Sequence, residues 1–212
     1  MTLAQVPRVL SGDALPPLCN GDRLSRDEFE RRWDLHPDIK KAELVDGQVY
    51  LEMTVGPHHA DAHKLLMTLF GTYEASNPEC LVLDNVTIRL PDESDVQPDI
   101  TLLERSGTGT VLTNEAVEGV PSLVAEVAAS SASYDLHAKR DLYERSGVQE
   151  YLVWQIYEQR IDWWELADGK YEPLPLIDGV IESKVFPGLR LNTVAILRGD
   201  IAAVLREVAQ AT

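Results

Sequence analysis

Two short apolar segments that each carry one acid constrain this chain more than any other feature. The segments are Pro98–Leu103, which holds Asp99, and Ser122–Val127, which holds Glu126. Both are typical of β-strands, where a carboxylate is costly to bury unless a cation or hydrogen bonds hold it charged. Lys139 follows the second segment closely. The pattern therefore predicts two acids that share a cation.

The shared cation suggests a divalent-metal site built from hard oxygen ligands. Mg²⁺ prefers one or two carboxylates, with water and substrate phosphate completing its set of ligands. The alternative interpretation is that Asp99 and Glu126 both lie at strand ends and contact water. The spacing of the two acids alone leaves both interpretations open.

Length and charge limit the domain count and the partners of the chain. With 212 residues we expect an extended arm over residues 1–23 and one domain over residues 24–212. The sequence has no apolar run of about 18 residues and no signal-peptide pattern, so we expect no membrane association and a cytoplasmic location. A net charge of −16 argues against a broad basic face for nucleic acid. Cys19 and Cys80 have no metal-finger spacing and are expected to be reduced thiols.

The first half of the chain carries three local signals. Ser25–Glu28 has the pattern of a capping box, which predicts a helix from about residue 26. Two alternating runs over residues 42–53 surround Asp46–Gly47, which predicts a β-hairpin. Glu43 opens the first of these strands, and its plainest interpretation is a solvated acid. Apolar residues at helical spacing predict an amphipathic helix over residues 57–76.

Histidines in the first turns of that amphipathic helix raise a separate hypothesis. His59 and His63 are four residues apart and would lie on one helix face, where they could share a zinc ion. The metalloprotease pattern also requires a glutamate directly after the first histidine, and this sequence has Ala60 there. A zinc hydrolase is therefore kept as an alternative, beside surface or packing histidines.

The rest of the chain is predicted to contain a series of strands and two helices. Expected strands and loops are Cys80–Asp84, Val86–Leu90, a loop at residues 106–109, the strands with Asp99 and Glu126, a polar turn at residues 130–133, and a meander over residues 151–174. A helix is predicted from Tyr134 to Ser146, ended by Gly147, and another from about Asp200.

Lys139 has two interpretations on the predicted helix. It lies four residues after Asp135 and would form an ordinary ion pair with it. It would also point back at the end of the Glu126 strand, because the connection between them is too short to carry the helix far.

These features together resemble one family, the Uma-type restriction endonucleases, a branch of the PD-(D/E)XK nuclease-like superfamily. The resemblance runs from about Leu24 to Leu191, and no single piece of it is specific by itself. It rests on the order and spacing of Glu43–Gly47, His59, Gln97–Ile100, Pro121–Val127, Tyr134–Lys139 with Tyr143, and Gly147–Tyr151.

The resemblance implies an α/β fold of the restriction-endonuclease type, in which a mixed central β-sheet is flanked by α-helices. It also implies that Asp99 and Glu126, with the backbone carbonyl of Val127, bind Mg²⁺ or Mn²⁺. Glu43 would be an accessory acid, and Lys139 would orient a water for hydrolysis of a DNA phosphodiester. A homodimer is a further expectation, since two strands would be cut.

The sequence departs from the superfamily pattern at two places. Ala128 stands where the superfamily places a lysine two residues after the second acid, and the resemblance moves that role to Lys139. The turn after Glu126 is about one residue shorter than in relatives. Together with the charge of −16, the missing lysine favours a rival hypothesis, a binding or regulatory module that kept the fold without activity.

Overall fold

The computed structural model describes residues 15–51, 55–107, 109–129 and 134–209. Its helices are α1 (Arg26–Asp34), α2 (Pro57–Ser76), α3 (Arg140–Ser146), α4 (Thr193–Leu197) and α5 (Ile201–Ala209), with a π-helical turn (Asp135–Lys139) leading into α3. The strands are β1 (Ala42–Val45), β2 (Gln48–Leu51), β3 (Cys80–Asp84), β4 (Ile88–Arg89), β5 (Asp95–Val96), β6 (Ile100–Glu104), β7 (Thr110–Leu112), β8 (Val117–Gly119), β9 (Leu123–Ala128), β10 (Glu150–Gln155), β11 (Arg160–Ala167), β12 (Lys170–Pro173), β13 (Val180–Glu182) and β14 (Arg190–Asn192).

The strands form two six-stranded sheets and a small hairpin. The first sheet has the order β2-β1-β5-β4-β8-β7, the second has the order β12-β11-β10-β9-β6-β3, and β13 pairs with β14. In the second sheet β9 and β10 are parallel, as expected for strands that are joined by a helical crossover through α3. The predicted α/β class, with a mixed β-sheet flanked by helices, is confirmed, but the strands predicted to form one central sheet are divided between two sheets.

The hairpin of β1 and β2 forms as its turn residues predict. Val45 pairs with Gln48 across the turn, and both central residues have positive φ, 53° at Asp46 and 71° at Gly47. A two-residue turn of this kind favours Asp-Gly because its backbone requires left-handed conformations. The last residues of the predicted hairpin, 52–54, lie outside the described residues.

The predicted helices form, with two differences: the helix predicted from Tyr134 begins with a π-helical turn, and the predicted capping box of α1 is only partly formed. The Ser25 hydroxyl accepts a hydrogen bond from the Glu28 N–H at 3.4 Å, as a capping residue should. The Glu28 carboxylate contacts Arg31 and Arg32 in the same helix rather than reaching back to the cap. Pairing with two arginines in the same helix provides a stronger electrostatic contact than one backbone amide.

The predicted arm is described only from residue 15 onward. Leu18 is buried in a small core with Phe29 and Val49, and the N–H of Gly21 donates to the carbonyl of Val49 at 2.7 Å. This part of the arm therefore packs along β2, and residues 1–14 lie outside the described residues. No helix within the described ranges is long and apolar enough to cross a membrane.

Alternation along β9 divides its side chains between two apolar cores. Leu123, Ala125 and Val127 pack in the core that contains α2, whereas Val124 and Ala128 pack in the core between the sheets. Because side chains alternate along a strand, Glu126 projects into the second of these cores. The fold thus places this acid between the two sheets, next to α3.

Candidate active site

A buried lysine joins two of the predicted acids. Lys139 Nζ lies 2.8 Å from Glu126 Oε1 and 2.9 Å from Glu43 Oε1. The exposed fraction of the lysine is 1%, and those of the two glutamates are 3% and 0%. Asp135 lies one turn earlier, with Oδ1 3.7 Å from the same ammonium. Lys139 therefore makes both the pair with Asp135 and the contact with the Glu126 strand.

Burial and mutual contact set the protonation of this pair. Burial by itself would lower the pKa of Lys139, but Glu126 and Glu43 more than offset this, and the pKa of the lysine is raised well above its ordinary value. Burial raises the pKa of Glu126, and Lys139 counteracts only part of that increase because Asp135, Asp99 and Glu43 add to it. The cluster thus contains a lysine, Lys139, that stays protonated and an acid, Glu126, whose ionisation is disfavoured.

Two tyrosines close the cluster on the side of α3. The Tyr143 hydroxyl lies 3.4 Å from Glu126 Oε1, and the Tyr134 hydroxyl donates to Glu43 Oε2 at 3.2 Å. The backbone N–H of Gln97 donates to Glu43 Oε1 at 2.7 Å. Each glutamate is therefore fixed by several donors, as a buried carboxylate requires. Glu43 is 0% exposed, so its interpretation as a solvated acid was wrong.

Asp99 lies directly beside Glu126, just before β6. Its backbone N–H donates to Glu126 Oε2 at 3.3 Å, and its own Oδ2 accepts the N–H of Val127 at 2.8 Å. Burial would raise the pKa of Asp99, but the hydrogen bond with His59 and the charge of Lys41 outweigh it and hold this pKa well below its usual value. Asp99 is 4% exposed, so the interpretation of both acids as water-exposed was also wrong.

The two histidines of α2 both contact Asp99. His59 Nε2 lies 3.1 Å from Asp99 Oδ2, and His63 Nε2 lies 3.2 Å from the Asp99 carbonyl oxygen and 3.1 Å from Asp84 Oδ1. Each of the two nitrogens thus lies within hydrogen-bonding distance of an oxygen of Asp99. These contacts do not support the alternative of a shared zinc ion. They indicate instead that the two histidines hold Asp99 in place.

The chemistry of the donors suits a hard divalent cation. Four buried acids surround the site, Glu43, Asp99, Glu126 and Asp135, and Lys139 and Lys41 are the lysines that contact them. A divalent cation would neutralise the excess negative charge, and Mg²⁺ binds through two carboxylates when water completes its ligands. Among the described residues, no group of three or more His, Cys, Asp or Glu side chains could hold a metal ion. Asp99 and Glu126 therefore match such an ion in the chemistry of their oxygen donors.

The structure thus brings together all the side chains singled out in the sequence, Glu43, Asp99, Glu126 and Lys139. Reasoning from sequence missed the contacts of Lys41 and Tyr134. A usable signal existed for Lys41, which stands two residues before Glu43 and so shares its side of an extended chain. The predicted polar turn at residues 130–133 lies outside the described residues, and the loop at 106–109 is described apart from residue 108.

Comparison with known proteins agrees with this architecture. A putative nuclease of the DUF820 family from Anabaena variabilis, known from its crystal structure, superposes with a TM-score of 0.67 at 12% identity, covering 83% of this chain and 98% of that one. The chain thus has a mixed α/β fold of the restriction-endonuclease-like type. The profile of the Uma2 family, described as "Putative restriction endonuclease", matches residues 26–194, and the chain belongs to this family. No curated protein matches the sequence.

Proposed function

We propose that this protein is a metal-dependent endonuclease that hydrolyses DNA phosphodiester bonds. The observation that carries the proposal is the convergence of Lys139 on Glu126 and Glu43, at 2.8 and 2.9 Å, in a cluster that includes Asp99. Two buried acids beside a lysine form the set that phosphoryl transfer requires, because positioning and charge stabilisation supply most of its catalysis. Membership of the Uma2 family supports the same reaction class.

The cofactor in this proposal is Mg²⁺ or Mn²⁺, held by Asp99, Glu126 and the backbone carbonyl of Val127. When bound, such an ion polarises a phosphoryl oxygen and lowers the pKa of a coordinated water. The excess of buried acids over cations at the site is the structural reason for proposing it.

The side chains around the acids have separate tasks in this proposal. Lys139 fixes the orientation of Glu126 and Glu43 through its contacts at 2.8 and 2.9 Å. His59 and the Val127 N–H hold one oxygen of Asp99 in place, at 3.1 and 2.8 Å. Preorganisation of this kind keeps catalytic groups in position before the substrate arrives.

Nicking of supercoiled plasmid DNA in Mn²⁺ tests the proposal. Asp99→Asn and Glu126→Gln should each reduce the nicking rate by about 100-fold or more, since each removes a metal-binding charge worth several kcal/mol in the transition state. Glu104→Gln is the matched control, because Glu104 is an exposed acid at the far end of β6. Its activity should equal that of the wild type.

Two results would count against the endonuclease. Equal nicking by the wild type and both site variants would place any activity elsewhere or in a contaminant. A wild type that neither nicks DNA nor binds Mn²⁺ would support the rival hypothesis of an inactive module. The homodimer and the cytoplasmic location stay predictions from the sequence.

A further inference from the structure

Lys139 is poorly placed to contact a substrate directly. Its side chain is 1% exposed, and its ammonium lies within 3.0 Å of both Glu126 and Glu43. An incoming phosphate could reach this ammonium only by displacing buried carboxylates. The cation that binds the substrate should therefore lie on a more open side of Asp99.

Lys41 occupies that side of Asp99. It directly precedes β1 and stands two residues before Glu43, so both residues lie on the same side of the extended chain. Its Nζ lies 3.6 Å from Asp99 Oδ1 and 3.2 Å from the side-chain oxygen of Asn85. The side chain of Lys41 is 16% exposed, so it connects the buried acids with the surface.

The loop after β3 forms the other part of this opening. The N–H of Asn85 donates to the Asp99 carbonyl oxygen at 3.1 Å, which fixes the loop to the site. Asn85 is exposed and has a φ of 48°, a left-handed conformation that asparagine tolerates. Lys41 therefore lies between an exposed amide and a buried carboxylate.

We propose that Lys41 binds a non-bridging phosphate oxygen of the nucleic-acid substrate beside Asp99. The proposal rests on the proposed function and adds to it the residue that positions the substrate. The 3.6 Å contact with Asp99 is longer than a hydrogen bond, and an ammonium has three N–H donors, so it can contact a phosphate beside Asp99 as well. An ammonium is a standard point charge for phosphate binding.

The overall charge of the protein makes such a residue necessary. At −16 the molecule repels DNA at long range, and its affinity must come from a few local cations that neutralise phosphates. Asp84 is 53% exposed at the same opening, but its carboxylate lies 3.1 Å from His63 Nε2. Lys41 is the lysine that contacts Asp99 among the described ion pairs, at 3.6 Å.

Binding of a fluorescein-labelled DNA duplex tests the proposal, measured by anisotropy in CaCl₂ over a series of NaCl concentrations. Lys41→Gln should weaken binding and lower the slope of log K against log salt by about 0.9, the value for one lost phosphate contact. Lys41→Arg should restore the slope. Lys40→Gln is the matched control, because the neighbouring Lys40 is exposed and its Nζ contacts the Pro37 carbonyl oxygen at 2.8 Å; its slope should stay at the wild-type value.

The outcomes separate this proposal from the nuclease itself. If Lys41→Gln keeps the wild-type slope while the wild type nicks plasmid DNA, the assignment of Lys41 is overturned and the endonuclease stands. If Lys41→Gln lowers the slope but no Mn²⁺-dependent nicking is found, Lys41 is a DNA contact of an inactive module. If the wild type binds no DNA, both proposals fall.

Discussion

Replacing Lys139 with methionine tests whether this lysine stabilises Glu43 and Glu126 in the buried cluster. Methionine keeps most of the length of the side chain and removes its charge, which leaves Glu43 and Glu126 buried without their shared partner at 2.8–2.9 Å. Removing one member of a buried ion pair typically costs about 3–5 kcal/mol, because the remaining charge is not compensated. For a chain of this length we therefore expect a fall in melting temperature of about 6–20 °C.

The cost of Lys139→Met should depend on pH, and its sign follows from Glu126. The pKa of Glu126 in the folded protein is already above its unfolded value of 4.5, and loss of the ammonium raises it further. A group whose folded pKa is raised binds more protons in the folded state, so stability falls as pH increases above the unfolded pKa. The deficit of the variant should be largest near pH 8 and smallest near pH 5.

Urea denaturation at both pH values, followed by tryptophan fluorescence, measures this deficit. Trp154 and Trp163 are buried and should report the loss of the core. The control is Lys170→Met, which removes an ion pair with Glu144 at 2.7 Å from a side chain that is 79% exposed; its cost should stay within about 1 kcal/mol. Equal costs for the two variants, or a Lys139→Met deficit that does not change with pH, would refute the reasoning.

Two further predictions concern residues outside the acid pair. His59→Ala should reduce nicking in Mn²⁺ by about 10–100-fold, the usual effect of removing a side chain that orients a metal ligand. His58→Ala changes an exposed residue and should leave the nicking rate unchanged. Unchanged nicking in both variants would show that Asp99 does not require the contact with His59. Glu150→Leu should lower the free energy of unfolding by at least about 2 kcal/mol, because Glu150 accepts hydrogen bonds from Trp163, Ser183, Lys184 and Val185. Urea denaturation measures this loss, and Glu172→Leu, at an exposed position, is the control. Equal stability of the two variants would contradict the prediction.

Local signals in the sequence predict most of the helices and hairpins. The Asp46–Gly47 turn, the apolar spacing of α2 and the Gly147 that ends α3 each act within a few residues, so short-range rules identify them. The division into two sheets has no such signal. Strands β4 and β5 have two residues each, too few for an alternating pattern to show.

Only part of the site could be predicted from the sequence, because some of its contacts join residues that are far apart along the chain. Asp99 and Glu126 stood out because an acid in an apolar strand requires a partner. Glu43 did not, because its burial depends on a contact with Lys139, which lies far away along the chain. The π-helical turn (Asp135–Lys139) changes the register of a helix that the sequence predicts as regular, and no residue in it marks that change.

Mn²⁺ binding to the purified protein, measured by titration calorimetry, tests the central claim most directly. The account predicts one site that is lost in Asp99→Asn and in Glu126→Gln and kept in Glu104→Gln. It also predicts proton release on binding and tighter binding at pH 8 than at pH 6, because the raised pKa of Glu126 means that the metal competes with a proton. Binding that is equal in all four proteins, or absent from the wild type, would contradict the assignment of Asp99 and Glu126 as a metal site.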